Sequence, residues 1–454
     1  MVIDDGRTIV APATPPGRGG VAIVRLSGST ASSIALPVTG PMPAPRRLSR
    51  RTFLGPDGAP VDDGMVVYFP GPASFTGEDV VELHCHGGPV IVDLLLEALL
   101  KAGARMAEPG EFSRRAFLND RIDLAQAEAI ADLIEAGSTR AARAALRSMQ
   151  GEFSSRIHGL SGQLTDMRVY VEAAMDFPEE EIDFLSDAST AERMDKLLAS
   201  FDELFASATQ GALLREGMSV VLAGEPNVGK SSLLNCLTGQ PSAIVTHIPG
   251  TTRDVLRERI SIEGMPLHII DTAGLRDAGD MVEAEGIRRA RREMESADLV
   301  LLVLDATVPA GSTRRDKEQQ DLPAGVPVTV VRNKIDLMDD PAGPMPMDRH
   351  GRPVIAVSAL TGDGIGDLRR HLAERVGYRP GAEGALSARR RHLDALARAR
   401  EHVMEGARQL LEERAPELMA EELRLAHLCL GEITGEFSSD DLLGKIFASF
   451  CIGK

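Results

Sequence analysis

Gly224-Glu225-Pro226-Asn227-Val228-Gly229-Lys230-Ser231 fits the spacing G-x-x-x-x-G-K-[ST]. Residues of these types at this spacing bind phosphate. The glycines let backbone N–H groups turn toward an anion, and the start of a helix adds partial positive charge. Lys230 would reach the outer phosphates and the Ser231 hydroxyl would sit on Mg2+. The pattern needs a strand before it and a helix after it. Ser219-Val220-Val221-Leu222-Ala223 reads as a buried strand, and Ser232-Leu233-Leu234-Asn235-Cys236-Leu237 as the start of a helix.

Four further stretches follow in order. Gly250-Thr251-Thr252-Arg253-Asp254 places a threonine where it could ligate Mg2+ only when a γ-phosphate is present. The apolar run Leu267-His268-Ile269-Ile270 ends in Asp271-Thr272-Ala273-Gly274. There Asp271 suits a bond to metal-bound water, and Gly274 can turn its N–H to the γ-phosphate. The run 327–332 ends in Asn333-Lys334-Ile335-Asp336, and 354–357 leads into Ser358-Ala359. A carboxylate at Asp336 accepts from guanine N1 and its 2-amino group, donors that adenine lacks, and the Ser358-Ala359 backbone can meet the guanine carbonyl. All of these lie at the carboxyl ends of expected strands, where an open α/β sheet binds ligands. The reading is a Ras-like GTP-binding domain. Where many GTPases orient water with a glutamine this chain has Leu275, so hydrolysis needs another group, with Asp277, Asp280 and Glu283 as candidates. Asn227 offers a carbonyl oxygen to a monovalent cation, or else only caps its own loop.

Bulk properties bound the rest. The chain has 454 residues, 43% hydrophobic and 26% charged, which suits a globular protein of about three domains. A net charge of −17 disfavours a nucleic-acid-coating role. Cys85, Cys236, Cys429 and Cys451 form no C-x-x-C pair and fit a reducing cytosol. No signal peptide opens the sequence, and its most apolar run, 299–304, is too short for a bilayer. With no lipidation signal or basic amphipathic helix, a membrane-associated GTPase is disfavoured.

Four segments are expected. Residues 1–118 form an α+β domain, with strands near 8–11, 21–26, 64–69 and 79–86, a helix over 90–100, and a candidate binding loop over 70–77. From Asp120 apolar residues recur at helical spacing, and a second helical block runs from about 387 to 430. The economical reading is one discontinuous helical domain (119–215 and 381–454) with the nucleotide domain (216–380) inserted. The stretch 339–352 reads as a surface loop. His84 and His86 share a strand face, opposite Cys85, which leaves a metal site open against an ordinary polar strand end.

The motifs together resemble the potassium-activated GTPases that carry a hydrophobic residue in place of the catalytic glutamine. Ala13-Thr14-Pro15-Pro16-Gly17-Arg18-Gly19-Gly20-Val21, Glu108-Pro109-Gly110-Glu111-Phe112-Ser113-Arg114-Arg115-Ala116-Phe117-Leu118-Asn119 and the terminal Cys451-Ile452-Gly453-Lys454 narrow the resemblance to the MnmE (TrmE) tRNA modification GTPases. That resemblance implies an N-terminal domain that binds a one-carbon folate (5-formyl- or methylene-tetrahydrofolate) and forms a homodimer. Arg25, Glu82, Arg121 and Lys454 match the folate-contacting positions; Arg121 stands where a lysine is common. It implies K+ at Asn227, Thr246, Ile248 and Thr251, Mg2+ at Ser231 and Thr252, and Glu283 positioning the attacking water. Nucleotide contacts extend to Val228, Ser232, His247, Pro249, Thr272, Ala273 and Leu360. It implies G domains that meet in the presence of K+, and an MnmG-type subunit that carries FAD and completes a heterotetramer. The complex would modify C5 of the wobble uridine of tRNA in the cytoplasm. Cys451 is either a thiol nucleophile activated by a nearby cation or a small packing residue. A pure GTP-controlled switch is the competing function, and the folate-type domain and C-x-G-K tail argue against it. Arginine clusters at 46–51, 288–292 and 389–391 read as solvated faces before RNA footprints.

Overall fold

The computed structural model describes residues 6–176, 188–238, 257–262, 264–271, 291–309, 322–323, 325–338, 340–375, 377–378, 384–437 and 440–453. In chain order, β1 (Ile9–Pro12), β2 (Gly19–Ser27), α1 (Ala31–Thr39), β3 (Ser49–Leu54), β4 (Pro60–Phe69), β5 (Val80–Gly87), α2 (Pro89–Lys101), β6 (Arg105–Met106) and α3 (Glu111–Leu118) come first. Helices α4 (Leu124–Glu135), α5 (Thr139–Met149), α6 (Glu152–Asp176) and α7 (Ala188–Glu216) follow. Then come β7 (Met218–Ala223), α8 (Lys230–Thr238), β8 (Arg257–Ile262), β9 (Met265–Asp271), β10 (Leu299–Asp305), β11 (Val328–Asn333), β12 (Gly343–Met345), β13 (Val354–Ala356) and α9 (Ile365–Arg375). The last are α10 (Arg390–Arg408), α11 (Pro416–Thr434) and α12 (Asp440–Ala448). Two compact units emerge: residues 1–131, 148–201 and 394–454, and residues 132–147 and 202–393.

In the first unit, six strands order as β3-β4-β5-β2-β1-β6. Every pairing is antiparallel except β1 with β6. Val10, Val24, Leu26, Val81 and Leu83 share a buried cluster with Leu95 and Leu99 of α2 and Ile34 and Val38 of α1. Each such side chain taken from water is worth roughly 1.5–3 kcal/mol. In the same unit, α6 packs along α11. Phe153, Ile157, Leu160, Leu164, Met167 and Val171 are buried on α6, stepping by three or four residues, as are Met419, Leu423, Ala426, Leu430 and Ile433 on α11. Pro416 opens α11, where the missing N–H costs nothing.

The second unit holds a seven-stranded sheet ordered β12-β13-β11-β10-β7-β9-β8. Its five central strands are parallel, and the outer two are antiparallel to their neighbours. Alternate residues feed two cores. Val220, Leu222, Leu299, Leu301 and Val303 join Leu233 and Leu237 of α8 and Leu368 and Leu372 of α9 on one face. Val221, Ile270, Val300, Leu302, Leu304 and Val330 pack on the other. Burial on both faces is why β10 reads LVLLVLD, with no polar alternation. The stretch expected as a loop over 339–352 departs from that reading: Gly343–Met345 forms β12 against β13. A glycine-proline pair obscures an edge strand in sequence, and only an edge tolerates the proline.

Candidate functional site

The phosphate loop stands at the end of β7, between that strand and α8. Two glycines fix its shape. Gly224 has φ 137°, and a Cβ there would lie 2.3 Å from the Val303 carbonyl oxygen. Gly229 has φ 94°, and a Cβ there would lie 2.3 Å from Asn333 Nδ2. Asn227 adopts φ 67°, a conformation that asparagine accepts better than most residues. Lys230 is 5% exposed, and its Nζ donates to the carbonyls of Gly224 and Glu225, each at 2.8 Å. The lysine thus curls over the loop whose backbone would take a phosphate. Ser231 and Ser232 are exposed in the first turn of α8.

The base end of the cleft is built by β11 and β13. Asn333 is 2% exposed; its Nδ2 donates to the Val228 carbonyl at 2.9 Å, and its Oδ1 accepts from Ala359 N–H at 3.0 Å. One side chain therefore straps the phosphate loop to the Ser358-Ala359 loop. The buried Ser358 donates its hydroxyl to Asp336 Oδ1 at 2.5 Å and takes the Thr361 N–H at 3.1 Å. Asp336 is in this way aimed, with its second oxygen available to a ligand edge. Gly229, Asn333, Lys334, Asp336, Ala359 and Leu360 line one cleft of about 840 Å³. Leu360 is 85% exposed at its rim.

Asp305, at the end of β10, escaped the sequence reading. Its Oδ2 accepts from Lys334 Nζ at 2.7 Å, and its Oδ1 takes both N–H and hydroxyl of Thr307 at 2.9 and 2.7 Å. Burial works against its ionisation, but the bonds from Lys334 and Thr307 outweigh it and hold the carboxyl below the usual range. The signal was present: a carboxylate directly after a buried strand, two residues before a threonine.

Thr246, His247, Ile248, Pro249, Gly250, Thr251, Thr252, Thr272, Ala273, Gly274, Glu283 and Lys454 lie outside the described residues, as does the side chain of Asp271, whose backbone ends β9. The potassium and water-positioning assignments rest mainly on these positions.

The N-terminal sheet carries the second group of candidate site residues. Strand register sets Arg25 of β2 directly across from Glu82 of β5, so both share one face. Arg25 Nε donates to Glu82 Oε1 at 2.8 Å, and the guanidinium lies 6.0 Å from the Phe75 ring centroid and 5.8 Å from that of Phe112. His84 Nε2 stands 3.3 Å from the other Glu82 oxygen. The C-terminal segment joins the same place: Arg25 Nη1 donates to the Gly453 carbonyl at 3.5 Å, and Gly110 N–H to the Cys451 carbonyl at 3.3 Å. Gly453 has φ 94°, and a Cβ there would fall 2.0 Å from the Pro12 carbonyl oxygen. Cys451 itself is exposed. Arg121 is exposed, and its stem lies by Gly77 at the end of the 70–77 loop.

His86 Nδ1 lies 2.7 Å from Asp62 Oδ1, while burial pushes the Cys85 thiol up to about 11. Among the described residues, no three His, Cys, Asp or Glu side chains gather as a metal would require. In two of the arginine clusters Arg50 pairs with Asp63 at 3.0 Å, Arg46 lies 5.8 Å from the Phe69 ring, and Arg389 bonds the buried Asp132 at 2.9 Å; Arg288 and Arg289 of the third lie outside the described residues.

Comparison with known proteins bears on the whole chain. Residues 8–121 match the family model described as "GTP-binding protein TrmE N-terminus", and residues 124–451 match "MnmE helical domain". The tRNA modification GTPase MnmE of Yersinia pestis bv. Antiqua (strain Angola) is 57% identical over 453 residues, covering 98% of this chain and 99% of that protein. MnmE of Yersinia pseudotuberculosis serotype IB (strain PB1/+) gives the same figures. Among solved structures, the G domain of the Thermotoga maritima FeoB iron transporter is 29% identical, covering 35% of this chain and 98% of that one, with a TM-score of 0.26. From the matched segments at both ends and the identity along its length, this chain belongs to the MnmE/TrmE family of tRNA modification GTPases.

Proposed function

We propose that this chain hydrolyses GTP to drive a conformational cycle in a cytoplasmic complex that modifies tRNA at C5 of the wobble uridine, adding an aminomethyl or carboxymethylaminomethyl group. The observation that carries the nucleotide half is the aimed Asp336 carboxylate, bonded to the buried Ser358 beside the Asn333 strap. Such a carboxylate suits the N1–H and 2-amino group of guanine and leaves adenine without matching donors. The phosphate end supports the same reading: Lys230 and the N-terminus of α8 face one loop, with Ser231 in reach of the outer phosphates.

The residues present fit Mg2+, since a hydroxyl at the helix start plus phosphate oxygens and water is its usual donor set. When bound, Mg2+ neutralises charge on the phosphates. Ser231 and Thr252 would hold it; Asn227, Thr246, Ile248 and Thr251 would hold K+; and Glu283 would position water. The N-terminal site fits a one-carbon tetrahydrofolate, for Glu82 can accept from an aminopyrimidinone edge and Phe75 and Phe112 offer ring faces. The folate supplies the carbon unit when bound. Arg25, Glu82, Arg121 and Lys454 would contact it, with Cys451 nearby. In this reading residues 1–118 dimerise, 216–380 form the G domain between helical segments 119–215 and 381–454, and FAD sits on an MnmG-type partner.

Asp336→Asn tests the base reading. Xanthine carries a carbonyl where guanine carries its 2-amino group, so an amide should transfer preference from GTP to XTP. We expect GTP affinity to fall by about a hundredfold, two charge-assisted bonds being lost. Unchanged GTP and XTP affinities in competition against fluorescent GDP would refute the assignment.

A further inference from the structure

Resting on the guanine reading above, we infer that Asp305 is a positioning residue for nucleotide binding: it holds the Lys334 side chain as one wall of the base cleft. The register of β10 and β11 sets Asp305 beside Asn333, so its carboxylate reaches the next residue along. Lys334 Nζ meets Asp305 Oδ2 at 2.7 Å. The carboxylate cannot rotate away freely, because Thr307 N–H and hydroxyl both grip Oδ1. Both charged side chains are half-buried, at 32% exposure for Lys334 and 19% for Asp305.

The arrangement has a physical use. A lysine stem carries about 2 kcal/mol of rotamer entropy, which a free side chain gives up when a ligand packs on it. Pinning Nζ at its far end removes that freedom beforehand. The four methylenes are then laid out as an apolar surface, which is what a purine face needs. Lys334 also holds a left-handed backbone at φ 70°, uncommon for lysine, so the residue is constrained at both ends. The strand end thereby contributes to the site through a residue that does not itself line the cleft.

A double-mutant cycle in the full-length protein tests this, with Kd for fluorescent GDP as readout. Asp305→Asn should weaken GDP about tenfold in the natural background, as expected for one charge-assisted bond, and less than twofold when Lys334 is already alanine. An equal loss in both backgrounds would mean that Asp305 serves only the strand end, and the inference fails; so does no loss at all. If Asp305→Asn does not fold, Thr307→Val replaces it. Thr307 is exposed, and valine removes its hydroxyl bond to Asp305 Oδ1 while keeping the N–H bond and the strand. A smaller loss that vanishes with Lys334→Ala sustains the inference, and one that persists or never appears overturns it. Asp336→Asn in the same assay keeps the two readings apart: a preference moved from GTP to XTP, with no coupling in the cycle, sinks Asp305 alone. A GTP preference unmoved by Asp336→Asn sinks the base reading, whatever the cycle gives.

Discussion

Glu111 is fully buried, yet it is charged. It takes bonds from Arg105 Nη1 and Nη2 at 2.7 and 2.6 Å, from Arg115 at 3.0 Å and from the Glu108 N–H at 2.9 Å. Burial alone would raise its pKa, but the Arg105 and Glu108 bonds and the two guanidinium charges overcome that and lower it from 4.5. A lowered value means that the ionised form stabilises the fold. The contribution is complete above about pH 4.5 and is lost as pH falls below that through the folded-state value. Arg115, 1% exposed, would be left buried with less compensation if Glu111 were removed. Glu111→Ala should therefore destabilise the N-terminal sheet by about 3–5 kcal/mol. Hydrogen exchange of β1 and α3 amides at pH 7 would read the loss, and protection as in the natural protein would disprove it. The variant should also show a flatter dependence on pH below 4.5.

At the scale of elements, α7 crosses the 384–388 segment closely enough to require a glycine. A Cβ on Gly211 would fall 1.6 Å from the Leu386 carbonyl oxygen. In an exposed helix, glycine to alanine gains about 1 kcal/mol. Here overpacking should reverse the sign, and Gly211→Ala should cost about 1–3 kcal/mol. A thermal transition of the nucleotide-binding unit at or above its original temperature would contradict this. Elements also show what a sequence reveals. The phosphate loop, Asn333–Asp336 and Ser358-Ala359 were legible because each needs fixed residue types at a fixed spacing after an apolar run. Several elements were not, and three show why. β12 hides in Gly343–Met345; α1 holds Pro37 within it; and β3 carries Arg50 and Arg51, so it reads as charge before strand. Their order comes from tertiary pairing, which local propensity does not record. Asp305 was missed for a related reason: its partner Lys334 lies 29 residues away, and only the β10–β11 register joins them.

For the molecule as a whole, the proposed cycle needs a positive charge at the transferring phosphate, the work that an arginine finger does in other GTPases. Asn227 stands exposed at the loop's turn, where the proposed K+ would meet its side-chain carbonyl. GTP turnover in matched K+ and Na+ buffers should be at least about tenfold faster in K+, since charge neutralisation at the transferring phosphate is worth several kcal/mol. Equal rates would remove K+ from the mechanism while leaving the phosphate loop intact. The net charge of −17 predicts in addition that a tRNA contact uses a local basic patch or a partner's surface.

The meeting of Arg25 with Gly453 also has a timetable. The two residues are 428 positions apart. At the usual pace of synthesis, about 5–20 residues per second, Arg25 leaves the ribosome roughly 20–90 s before Gly453 exists. The N-terminal sheet, whose pairings all lie within the first 106 residues, has its strands in hand long before then. The newborn domain therefore waits with the Arg25 side chain and the Pro12 edge uncovered until a segment 428 residues further along has been made.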